Sequence, residues 1–147
     1  MKIRKATIKD FKNLYQIGLK TPELRVSAST PFMEKDDFKL RIIDKKHVFL
    51  VAEDQNKIVG FICANTGDKD RPLKHKWACI VYIAVVPDNR NQGVATKLYH
   101  ECAKILKKRG ITHAYALADA DTKAIQRFLK KAGFKSGERM VWMDRKL

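Results

Sequence analysis

Apolar residues recur along this chain at two spacings, and the change of spacing divides it into elements. Phe11, Leu14, Tyr15 and Leu19 fall three or four apart, which puts them on one stripe of a helix ending near Lys20. Thr7 lies three residues before Asp10, a variant of the capping box, and Lys2 to Ala6 can form a short strand ahead of it. Thr21-Pro22 breaks the helical pattern. Residues 21–34 hold Pro22, Pro31 and several Ser and Thr, and read as a loop. A short helix is expected from about Lys35 to Ile43, with Phe38, Ile42 and Ile43 inward. His47 to Glu53 and Lys57 to Asn65 read as two strands of a hairpin joined by Asp54-Gln55-Asn56. A charged, proline-containing loop follows from Asp68 to Lys76.

The run Trp77 to Val86 is unbroken, apolar and rich in β-branched residues, as expected of a strand covered on both faces. Pro87 lacks an N–H and ends the ladder. Val94, Ala95, Leu98, Tyr99, Cys102, Ile105 and Leu106 then return to helical spacing. Gly110 is the expected stop, with Lys107, Lys108 and Arg109 in the last turn, where the dipole favours cations. Thr112 to Ala118 reads as a further strand. A last helix is expected from about Thr122 to Ala132, ended by Gly133 with Phe134 beyond it. Residues 138–145 read as a final strand. An antiparallel group followed by alternating helix and strand implies an α+β fold or a three-layer α/β/α sandwich. With no repeat and no linker, the expectation is one domain over residues 1–147.

Composition narrows the class. No run approaches the roughly 18–20 apolar residues needed to cross a bilayer. Met1-Lys2-Ile3-Arg4-Lys5 lacks the apolar core of a signal peptide, so a cytoplasmic protein is expected. Cys63, Cys79 and Cys102 are odd in number and set in apolar segments, as small buried hydrophobes are. His47, His75, His100 and His113 show no metal spacing, and no metal is expected. The net charge of +15 attracts polyanions. It fits a nucleic-acid or ribosomal neighbourhood, or equally a solvated lysine surface around a phosphate-bearing cofactor. The basic residues are scattered over every helix without interleaved aromatics.

The chemistry lies where the long strand turns into a helix. The first N–H groups of a helix have no internal partner and suit a phosphate. Gly93 has no Cβ to block that backbone, Ala95 keeps the approach open, and Arg90 adds charge at the mouth. Neither of the common glycine-rich nucleotide motifs is present. The segment Arg90-Asn91-Gln92-Gly93-Val94-Ala95, after Ile83-Ala84-Val85 and a proline, resembles the pyrophosphate loop of the GNAT superfamily of N-acetyltransferases, Gln/Arg-x-x-Gly-x-Gly/Ala. A second stretch, Thr122 to Phe134, resembles that family's C-terminal box, with Phe128, Lys131, Gly133 and Phe134 matching. The two boxes and the strands between them cover roughly residues 48–147. Two positions depart. Thr122 stands where the family has asparagine, and Leu129 where many relatives have the tyrosine that protonates the departing thiolate.

The resemblance implies the acyl-CoA N-acyltransferase fold, whose fourth and fifth strands splay apart around acetyl-CoA. It implies direct attack of an amine on the thioester. The oxyanion would then rest on the Val85 N–H, with Ile83, Ala84 and Val85 along the pantetheine. The phosphates would lie on Asn91, Gln92, Gly93, Val94, Ala95 and Thr96, helped by Arg90. Thr122 would offer a hydroxyl, and Lys131 charge near the adenosine end. A free alkylamine has a pKa of about 10, so a base must take its proton. Relatives often carry a glutamate in the fourth strand; here Cys79 to Tyr82 stand there. Asp119, Asp121 and Tyr82 remain weak candidates: either aspartate can instead cap the last helix, and core packing is the favoured reading of Tyr82. Arg25, Ser27 and Ser29 are candidates for the acceptor side, which stays open between protein N-termini, lysine side chains, polyamines and small amines. Two further readings stand beside catalysis: an acyl-CoA sensor, suggested by Leu129, and a nucleic-acid-associated protein, suggested by the charge. Either a monomer or a homodimer fits.

Overall fold

The computed structural model describes residues 1–25, 30, 32–67, 76–141, 143–145 and 147. Its strands are β1 (Lys2–Lys5), β2 (His47–Asp54), β3 (Lys57–Asn65), β4 (Trp77–Val85) and β5 (His113–Ala116). Its helices are α1 (Phe11–Leu19), α2 (Lys35–Ile43), α3 (Val94–Lys108) and α4 (Lys123–Lys131). The strands form one mixed sheet in the order β1-β2-β3-β4-β5. The first four are antiparallel, and β4 and β5 are parallel.

Side chains alternate across this sheet and feed two cores. Val48, Leu50, Ile62 and Ala64 face α3, where Leu98, Cys102 and Leu106 meet them. Phe49, Val51, Phe61 and Cys63 face the other way, onto Leu14 of α1 and Phe38 of α2. Burial of Cys63 and Cys102 pushes each thiol up to about 12, the behaviour of packed hydrophobes and not of nucleophiles.

A bulge in β4 shifts the alternation. Tyr82 lies opposite Cys63, but Ile80 lies opposite Ala64, so Val81 is the extra residue. Ala78 and Ile80 therefore point to the α3 side, whereas Tyr82 and Ala84 point to α1 and α2. The continuous apolar run seen in the sequence follows from this double commitment.

Local chemistry sets the element ends. Gln55 and Asn56 take positive φ values of 46° and 60°, the two-residue turn that suits a twisted hairpin. After α3, the Ile111 N–H bonds to the Leu106 carbonyl and the Gly110 N–H to that of Lys107, a Schellman ending with Gly110 at φ +76°. At the entrance to α1, the Thr7 N–H donates to Asp10 Oδ2 at 2.8 Å. The same carboxylate takes both terminal nitrogens of Arg4 at 2.8 and 2.9 Å, while Arg4 Nε donates to Glu53 at 2.8 Å. The Arg4 guanidinium holds the Asp10 carboxyl down at about 2.

Three expectations need correction. Residues 138–145 form no strand among those described, and Met140, Val141 and Met143 are 70%, 86% and 88% exposed. A strand exists by pairing, and none of the described residues there finds a ladder partner. Ile43 is 59% exposed, because it lies about 100° around the helix from Ile42. β5 is shorter than expected, and Leu117 beyond it is exposed. Residues 68–75 of the charged loop lie outside the described residues. No helix among the described residues is long and apolar enough to cross a membrane.

Candidate active site

The site begins where β5 stops. Ile80 and Ala116 are the last paired positions of β4 and β5, and β4 continues alone to Val85. On the other side β4 stays bonded to β3. The Val86 N–H donates to the Val59 carbonyl at 3.0 Å, and Gly60 lies opposite Val85. Hydrogen-bonded and non-bonded pairs alternate along an antiparallel ladder. Ala84 therefore spends its main-chain groups on Phe61, while Ile83 and Val85 turn theirs away from β3, into the gap that β5 leaves.

A tight turn carries the chain from this edge to α3. Pro87–Asn89 form a single 3-10 turn, with the Arg90 N–H bonded to the Pro87 carbonyl. Asn91 and Gly93 both take positive φ, 61° and 78°. Gln92 Nε2 closes the loop on the Asp88 carbonyl at 2.9 Å. Gly93 caps α3 with no side-chain hydrogen bond, and its carbonyl takes the first helical bond, from Lys97 N–H, at 3.0 Å. The N–H groups of Val94, Ala95 and Thr96 thus precede the first intrahelical bond and lack a side-chain cap. A Cβ on Gly93 would meet nothing within 4 Å, so the helix end opens onto free space. The Val94 side chain is buried at 3% exposure and roots that end in the core.

Arg90 is exposed, but its guanidinium is tied back to β4. Its Nε donates to the Val85 carbonyl at 3.0 Å, and its Nη1 lies 3.9 Å from the Glu23 carboxylate. A cavity of about 180 Å³ is lined by Gln16, Ile17, Lys20, Thr21, Val86 and Pro87. The end of α1 and the start of the turn before α3 therefore face each other across a gap, which the sequence alone did not disclose. Pro22 opening a short turn directly after a helix was the available signal.

The remaining candidates separate. Tyr82 is 8% exposed with its ring 5.6 Å from Phe32, and burial pushes its phenol up; it packs as core. Asp119 and Asp121 are exposed in the turn before α4, where Asp119 Oδ1 accepts the Asp121 N–H at 2.7 Å. Thr122 caps α4 without a side-chain hydrogen bond, and Lys131 is exposed in its last turn. Leu129 is buried, with its carbonyl taking the Phe134 N–H at 3.0 Å. Phe128 and Phe134 pack on Tyr99 of α3, at 6.4 and 5.6 Å between ring centres. Arg25 is exposed; Ser27 and Ser29 lie outside the described residues.

Comparison with known proteins agrees with this geometry. The model of the acetyltransferase (GNAT) family matches residues 11–134. N-alpha-acetyltransferase 30 of Schizosaccharomyces pombe is 29% identical over 85 residues, 57% of this chain. The match spans about half of that relative's length, 55%. Among solved structures, an aminoglycoside antibiotic 6′-N-acetyltransferase from Acinetobacter haemolyticus superposes with a TM-score of 0.80 at 18% identity, covering 100% of this chain and 99% of that one. A PaiA N-acetyltransferase from Thermoplasma acidophilum in complex with coenzyme A gives 0.78 at 19% identity, covering 95% and 92%. The chain belongs to the GNAT family, acetyltransferases whose co-substrate is acetyl-CoA.

Proposed function

We propose that this enzyme moves an acetyl group from acetyl-CoA to a primary amine by direct attack. One observation carries the reading: past Ile80 no strand among the described residues pairs with β4 on the β5 side, and a tight turn leads from the end of β4 to the glycine-capped start of α3. A thioester arm with a diphosphate at its far end needs both features in that order. The N–H groups of Val94, Ala95 and Thr96 receive the diphosphate, aided by the helix dipole. Gly93 leaves the approach open, and Arg90 lies close enough to lend charge. Ile83 and Val85 offer main-chain groups to the pantetheine amides as an added strand would. The Val85 N–H donates to the carbonyl oxygen as it becomes an oxyanion, with Ile83 presenting the same group one step deeper. Leu129 supplies no proton, so the departing thiolate is protonated through water.

The names of the relatives support an amine acceptor, since both an aminoglycoside and an N-alpha-acetyltransferase are among them. The test is calorimetric titration with acetyl-CoA, followed by release of free thiol against a panel of amines. Binding with turnover of an amine supports the reading. Binding without thiol release points instead to an acyl-CoA sensor, which the buried Leu129 would favour.

A further inference from the structure

We infer that Glu23 is the general base that takes the proton from the acceptor amine. The inference rests on the acetyl-transfer reading and supplies the group it lacks. β4 offers no carboxylate between Trp77 and Val85. Glu53 and Asp10 are both held by Arg4, and Asp119 serves the turn before α4. Glu23 alone among these stands within one guanidinium of the reacting edge: Arg90 touches the Val85 carbonyl with Nε and faces the Glu23 carboxylate with Nη1.

The carboxylate is carried on a fixed turn. Pro22 sets the first position of the turn Pro22–Leu24, and the Leu24 N–H bonds to the Thr21 carbonyl at 2.9 Å. Thr21 Oγ1 donates to the Ile17 carbonyl at 2.7 Å, and both Thr21 and Leu24 are 8% exposed. The end of α1 is clamped in turn, because Gly18 lies against the Phe32 ring with no room for a Cβ. The Glu23 side chain is 41% exposed, and Thr21, two residues before it in the chain, lines the gap whose other wall is Val86 and Pro87.

The step balances. The acceptor arrives as an ammonium and gives one proton to the Glu23 carboxylate. Its lone pair then forms the C–N bond, and the carbonyl π electrons move to oxygen. Collapse reforms the carbonyl and breaks the C–S bond. The thiolate takes the second nitrogen proton through water, and Glu23 returns its own to solvent. One amide, one thiol and one free proton result.

The test is Glu23→Gln, which keeps the shape of the side chain. Kanamycin, spermidine, free lysine and a tetrapeptide with an unblocked N-terminus are screened with the unaltered enzyme, and the fastest is taken forward. We expect kcat at pH 7 to fall about 100-fold or more, with acetyl-CoA affinity by calorimetry within about threefold. The deficit should shrink toward pH 10, where the amine loses its proton unaided. Glu23→Asp should retain more activity than Glu23→Gln. A Gln variant within about threefold of the original kcat, or a deficit constant with pH, overturns the assignment while acetyl-CoA binding leaves the broader reading standing. An unaltered enzyme that binds no acetyl-CoA, or turns over none of the four amines, overturns both.

Discussion

Ile80 of β4 and Ala116 of β5 are the last residues of those strands to face each other. Beyond them β3 is the strand that stays paired with β4 among the described residues, and Gly60 makes that pairing close. A Cβ built on Gly60 would lie 2.7 Å from the Ala84 carbonyl oxygen, a distance real side chains do not take. We therefore expect Gly60→Ala to push the end of β4 away from β3. Stability should fall by about 1–3 kcal/mol, measured by chemical denaturation. Acetyl-CoA affinity should fall with it, because the edge at Ile83 and Val85 moves.

Gly93 tests the anion cradle separately from the fold. Its Cβ position is open, so a side chain there has room; the cost is the left-handed backbone at φ +78°. Gly93→Ala should lose about 1 kcal/mol of stability. Gly93→Glu would put a carboxylate where the diphosphate must sit. It should weaken acetyl-CoA binding at least about 100-fold, a loss of about 3 kcal/mol, while the thermal midpoint stays near that of Gly93→Ala.

The Arg4–Asp10 pair predicts an acid limb to stability. The Asp10 carboxyl is held at about 2 against an ordinary value of 3.8, so its folded value lies below its unfolded one. Its contribution is fully present above about pH 4 and is lost as pH falls toward 2. The size is about 2 kcal/mol from the shift alone. Denaturant titrations at pH 7, 4 and 2 should show this loss, and Asp10→Asn should remove most of it.

Gly18 offers a test of the wall opposite the phosphate turn. A Cβ there would sit 2.2 Å from the Phe32 ring, and Phe32 is itself 4% exposed and packed on Tyr15, Phe38 and Tyr82. Gly18→Ala should cost about 1–3 kcal/mol by overpacking. It should also lower kcat more than acetyl-CoA affinity, since it shifts the end of α1 and the Glu23 turn rather than the cradle.

Much of this arrangement was legible in the residues, and for identifiable reasons. α2 and β3 begin and end where the sequence places them, because Phe38 and Ile42 are four apart on one helical face and the apolar run from Ile58 to Ala64 is bounded by Lys57 and Asn65. The tight turn between β4 and α3 was legible because proline and glycine each act within a few residues. The bulge at Val81 was not, since it shows only against Cys63 and Ala64 on the neighbouring strand. Nor was the folding of Arg90 back onto Val85, or its approach to Glu23, which lies 67 residues earlier in the chain. The strand expected at 138–145 failed for a related reason: apolar composition proposes a strand, but a partner edge decides it. Tyr82 could be read as a proton relay or as core, and only its neighbour Phe32 settles the packing.

In the proposed reading, two groups of main-chain amides, on the edge of β4 and in the first turn of α3, hold the co-substrate from either side of the Pro87 turn. Amide resonances of the ¹⁵N-labelled protein, followed during titration with coenzyme A, test it most directly. Ile83, Val85, Val94, Ala95 and Thr96 should shift together with a single saturation curve, and Ala84, bonded to β3, should move least among its neighbours. Saturable shifts confined to other parts of the chain, with those five amides unmoved, would contradict it.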